Sequence, residues 1–144
     1  MSAFHMILGI AVLTTNGLAA AWGAIAWLRG IPSVTFWYPL RLAQAAVAVQ
    51  VVVGFILVAR GASAPDGLHI AYGVAPLVIT LVSEGMRAGA AGRELDGVED
   101  VDALTRPQQV AIARRVALAE MGVMTVGALL ILTLALRAYQ TGGS

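Results

Sequence analysis

Four long apolar stretches follow one another along the chain, separated by segments that carry most of the polar residues. The first, residues 4–28, has no Asp, Glu, Lys or Arg across 25 positions, whereas a helix needs about 20 residues to cross roughly 30 Å of hydrocarbon. It reads as a transmembrane helix. A secretory signal would need a basic start and an apolar core of only about 7–15 residues. The second stretch, residues 36–59, has Arg41 near its start and is uncharged from Leu42 to Ala59. The third, residues 68–87, contains Pro76, which membranes tolerate when neighbouring groups satisfy the freed carbonyl. The fourth, residues 106–138, is longer than a bilayer requires. Thr105 and Gln108 form a capping-box pattern with Pro107 in the first turn, so this helix begins in water and its membrane part lies near Val116 to Leu136.

The first two connections are short and rich in Gly, Pro and Ser, which makes consecutive helices antiparallel neighbours. The expected architecture is all-α: an integral membrane, up-down four-helix transmembrane bundle in one domain, residues 1–144. Residues 88–104 form the remaining connection. They hold Glu94, Asp96, Glu99, Asp100 and Asp102 against Arg93, with no apolar period, and read as a solvated acidic loop.

Composition excludes a conventional soluble domain. Hydrophobic residues make up 59% of the chain and charged residues 12%, against about 45–50% and about 25% in soluble proteins. A net charge of +1, without a basic patch interleaved with aromatics, excludes nucleic acid as a partner. With no cysteine, thiolate metal sites and iron–sulfur clusters are excluded as well. All nine basic residues are arginine, the habit of a GC-rich bacterial genome. Seven of them (29, 41, 87, 93, 106, 114 and 115) fall on one side of the expected bundle and two (60 and 137) on the other. The positive-inside rule therefore puts the first and third connections in the cytoplasm and both termini outside, in a bacterial inner membrane. Trp27, Phe36, Trp37 and Tyr38 cluster at the same inner boundary.

The chain has two histidines, His5 and His69, each in the first turn of its helix. The first and third helices run in the same direction, so both imidazoles lie at similar depth in one leaflet. In a bundle these helices face each other across the centre, which lets one heme iron take both rings as axial ligands. Gly9 and Gly73 follow the histidines by four residues, leaving space one turn along the same face for a flat macrocycle. The second helix carries Gln50 and Gly54 at that spacing, and Arg60 stands where a propionate would reach. Ser2 and the loop around Asp66 are candidates to hydrogen-bond the ring nitrogens that do not ligate iron. The alternative is that both histidines are interfacial residues and the glycines serve close helix packing.

The run QVVVGFILVARGASAPDGLH, Gln50 to His69, resembles a segment of the heme A synthase family. There a glutamine and a glycine in one helix are followed by a loop and a histidine that opens the next. That histidine is an axial heme ligand in the family, and its partner opens a helix two crossings earlier, as His5 does in FHMILG. The likeness extends over roughly Phe4 to Arg87 and implies one bis-histidine heme between the first and third helices. The family joins two such four-helix halves, and this chain holds one. Its catalytic half also has a glutamate three residues before the first ligand and an arginine directly after it, where this chain has Ser2 and Met6. Heme A synthesis itself is therefore not implied. As a whole the sequence is also similar to small actinobacterial four-helix membrane proteins.

A second polar set lies at the inner face: Arg41, Glu84, Arg87, Arg114, Arg115 and Glu120. Interhelical ion pairing or snorkelling accounts for it, and a proton relay is the sharper alternative. Two functional expectations follow. One is a small b-type cytochrome or heme-handling protein with heme b as cofactor, acting in electron transport or as an accessory protein rather than an enzyme. The other is a non-catalytic membrane subunit or scaffold whose small-residue faces bind a membrane-protein partner or a second copy of the chain. The lipid bilayer is the partner common to both.

Overall fold

The computed structural model describes residues 3–63 and 67–142 and contains four helices in up-down order. They are α1 (Ala3–Leu28), α2 (Trp37–Ala59), α3 (Gly67–Glu94) and α4 (Arg106–Gly142). Each is long and apolar enough to cross a bilayer, as the sequence leads one to expect. Glycines in the left-handed region stop α1 and α2. Gly30 has φ +64° and Gly61 has φ +86°. At each end two backbone bonds close a Schellman turn: Ile31 N–H to Ala26 O and Gly30 N–H to Trp27 O, then Ala62 N–H to Leu57 O and Gly61 N–H to Val58 O.

Two boundaries differ from expectation. Helix α3 runs to Glu94 rather than ending near Arg87, because Ala88, Ala90 and Ala91 are strong helix formers and a helix does not stop where the hydrocarbon does. Helix α4 likewise runs to Gly142, beyond residue 138. The acidic connection therefore shrinks from residues 88–104 to residues 95–105. Gln109 fastens it to the start of α4 by donating to the carbonyls of Val101, at 3.0 Å, and Leu104, at 3.3 Å. Gln108 Oε1 accepts from both the backbone N–H and the hydroxyl of Thr105, each at 2.9 Å.

Helix α4 packs extensively on α3 and also on α1, α1 packs on α2, and the α2–α3 contact is the slightest of the four. The helices thus form a ring in which α1 and α3 stand on a diagonal. Small residues fill much of the interior: Ala19, Ala20 and Ala128 surround Phe36, Leu40, Met121 and Met124 at the α2 N-terminal end. Gly23 is required there, since a Cβ on it would come within 2.6 Å of the Phe36 ring. A second cluster, Val12, Val47 and Ile131, lies nearer the histidines. Leu18, Val52, Leu81 and Leu130 point outward and are exposed. Such an inside-out distribution suits a bundle whose surroundings are lipid tails rather than water.

Candidate functional site

At the end of the bundle formed by the α1 and α3 N-termini, the two histidines meet. Helix α1 places His5, buried, and α3 places His69, half-buried, with ring centroids 6.3 Å apart and ring planes inclined by 56°. Gln50 of α2 stands beside them, its amide nitrogen 3.3 Å from His5 Nε2. An amide N–H donated to Nε2 puts the ring proton on Nδ1, the tautomer in which Nε2 keeps the lone pair a metal would use. Gln50 Oε1 is buried with no hydrogen-bond partner.

The glycines divide into two kinds. On the α1–α2 side, a Cβ on Gly54 would lie 3.5 Å from His5 Cε1, and one on Gly9 would lie 3.6 Å from the Gln50 amide nitrogen. These two bring α2 close against the His5 ring. Gly73, one turn along from His69, faces open space, and a Cβ on it would meet nothing within 4 Å. Unfilled space continues on both sides of the histidine pair. Toward the α2–α3 seam it forms a cleft of about 290 Å³, bounded by Val51, Gly54 and Phe55 on one side and Ile70, Gly73 and Val74 on the other. Toward α4 the space narrows to a crevice of about 60 Å³ that reaches Ala135, Ala138 and Tyr139. Both clefts share His5, Gln50, His69, Gly73 and Ala138.

Among the described residues, no three His, Asp or Glu side chains gather where they could hold a metal ion. Two imidazoles are too few for a bare transition metal, which commonly takes about four protein ligands. A metal held here must therefore bring its remaining ligands with it. Two imidazoles held to one metal ion by bonds of about 2 Å would have ring centres roughly 6–6.5 Å apart, a range that includes the observed spacing and that packed ring pairs without a metal also occupy. A flat ligand between two axial rings needs room across the line joining them, and the two clefts lie there. The donor pair and its spacing are compatible with a tetrapyrrole, for which the seam-side cleft would have to widen. Arg60, directly after α2, is exposed near this end, whereas Ser2 and Asp66 lie outside the described residues.

The opposite end carries a line of alternating charge. Glu84 of α3 accepts from Arg41 and from Gln44 Nε2 (2.7 Å), both on α2, and from Arg87 Nε (2.8 Å) on its own helix. Arg87 Nη1 continues to Glu120 of α4 at 2.8 Å. The guanidinium carbons of Arg41 and Arg87 lie 5.5 and 5.7 Å from the Trp37 ring centre, within cation–π range. Three helices are tied together in this way. Of the six residues expected at this face, Arg41, Glu84, Arg87 and Glu120 assemble. Arg114 and Arg115 do not join them: Arg114 donates to the Gly30 carbonyl at 2.9 Å, and Arg115 pairs with Glu94 at 3.2 Å.

Sequence reasoning overlooked Gln44 and Trp37 in the charged line and the α4 residues Ala135 and Ala138 beside the histidines. Gln44 carried a usable signal, since an amide inside an otherwise apolar span asks for a partner. The alanines carried none, because their contribution is the absence of bulk. No protein-family model matches the chain, and neither the curated proteins nor the solved structures contain a match.

Proposed function

We propose that the protein is a small multi-pass membrane protein that holds one heme b between His5 and His69 and acts in electron transfer or heme handling. The observation that carries this reading is the meeting of two imidazoles from diagonal helices, 6.3 Å apart, with unfilled space on either side of the line between them. When bound, the heme supplies a one-electron redox centre. The chain's own residues do the rest. His5 and His69 would present nitrogen donors, and Gln50, 3.3 Å from His5 Nε2, would turn aside for that nitrogen to ligate. Gly73 keeps the space beside His69 clear, and Arg60 offers a cation to an acidic edge at the membrane boundary. The arginine distribution supports placing the histidine end at the outer leaflet, with both termini outside a bacterial inner membrane.

The test is the absorption spectrum of protein expressed with ample heme and purified in detergent. The expected result is a low-spin spectrum whose visible bands sharpen on reduction. Replacement of either histidine, His5→Ala or His69→Ala, should abolish it or leave a five-coordinate form. Gly73→Leu should lower heme occupancy while both ligands remain. Protein that is folded by circular dichroism yet colourless refutes the reading and leaves a non-catalytic membrane subunit or scaffold.

A further inference from the structure

The four contacts between neighbouring helices are unequal, and the inequality has a direction along the bundle. Helix α3 is held to α2 at the charged end, where Arg41 and Gln44 both reach across to Glu84. Fifteen residues earlier on α3, about 22 Å up the helix, stands His69. At that level the two helices present Val51, Gly54 and Phe55 opposite Ile70, Gly73 and Val74, with the larger cleft between them. Phe55, Val58 and Ile70 are exposed around it, so within a bilayer the cleft opens onto acyl chains. The seam is therefore pinned at one end and parted at the other. The α1–α2 side is different, because Gly54 and Gly9 bring α2 against His5 and its Gln50 partner. The α1–α4 and α3–α4 sides are the more extensively packed.

Resting on the heme reading above, we propose that the ligand reaches the histidine pair sideways from the bilayer, through the α2–α3 seam, with the Glu84 cluster as the fixed point about which the seam parts. The chemistry suits the route. A heme is a flat and largely apolar disc with one acidic edge, so it dissolves in the hydrocarbon that faces Val51, Phe55 and Val74, and Gly73, where a Cβ would meet nothing within 4 Å, spares it a side chain on the way in.

A chain without cysteine allows a direct test. Val58→Cys and Ile70→Cys, one on each side of the cleft mouth, are joined by a short cleavable bis-maleimide in heme-free protein reconstituted into phosphatidylcholine vesicles. Donor vesicles carrying heme b are then added, and the rise of the bis-histidine absorption band is followed. Bridging should slow the initial rate by roughly tenfold or more, equivalent to an added barrier of about 1.4 kcal/mol, and cleavage of the bridge should restore it. Protein loaded first and bridged afterwards should keep its full band, which shows that the bridge leaves the site intact. Filling of the bridged protein at the unbridged rate overturns the sideways route. A band that never develops even in the unmodified protein overturns the heme reading and the route together, so the two failures are told apart by the unmodified sample.

Discussion

Replacing Glu84 by Gln perturbs the point where α2, α3 and α4 are joined. The carboxylate accepts from Arg41, Gln44 and Arg87, and its side chain is 29% exposed. Removing its charge affects the partners unequally. Arg41, at 51% exposure, turns to interfacial water at small cost, and an exposed pair contributes about 0–1 kcal/mol. Arg87, at 28%, is less able to do so, but it retains Glu120. A charge-assisted hydrogen bond contributes about 1.5–3 kcal/mol, so with partial exposure and the surviving Glu120 contact the total loss should be about 1–3 kcal/mol. Glu120→Gln weakens one such bond rather than three and should cost less than Glu84→Gln, about 1–2 kcal/mol. The assay is equilibrium unfolding in mixed micelles, followed by circular dichroism for the wild type, both single variants and Arg41→Gln with and without Glu84→Gln. The double-variant cycle isolates the α2–α3 coupling from the intrahelical Arg87 contact. Equal stabilities for wild type and Glu84→Gln, or a larger loss for Glu120→Gln than for Glu84→Gln, would refute the assignment of Glu84 as the junction.

Gly23→Val should destabilise the bundle by about 1–3 kcal/mol through overpacking against Phe36 and Thr125, while Gly85→Ala, inside α3 where a methyl group meets nothing within 4 Å, should stabilise it by up to about 1 kcal/mol in the same unfolding assay. For topology, single cysteines at Ser63 and at Glu99 are exposed to a membrane-impermeant maleimide on intact cells. Only the residue-63 position should react, and labelling at residue 99 would reverse the orientation. Glu99 is preferred over the nearby Gly97, whose φ of +78° makes any side chain strained.

The number and direction of the helices were legible because an apolar run of fixed minimum length has one structural solution in lipid. The common depth of His5 and His69 followed from the same fact, each standing near the start of a helix that points the same way. Their 6.3 Å spacing was not legible, since it depends on how closely the diagonal helices approach. At the charged end, the Glu84–Arg87 pair is an i, i+3 neighbour visible in the sequence. The partner of Arg115 was hidden because it depends on α3 continuing to Glu94, beyond the point at which hydropathy stops marking the helix.

The slightness of the α2–α3 contact also says something about assembly. Helices α1 with α2 and α3 with α4 form two antiparallel hairpins, joined in the folded protein mainly where α1 lies on α4 and where Glu84 bridges to α2. Separate insertion and association of helices would have each hairpin place its own pair of spans before the two dock within the bilayer. The break between hairpins coincides with the break in packing. Two polypeptides, residues 1–63 and residues 67–144 with a starting methionine, should therefore find each other when made in the same cell and copurify through a tag on either one.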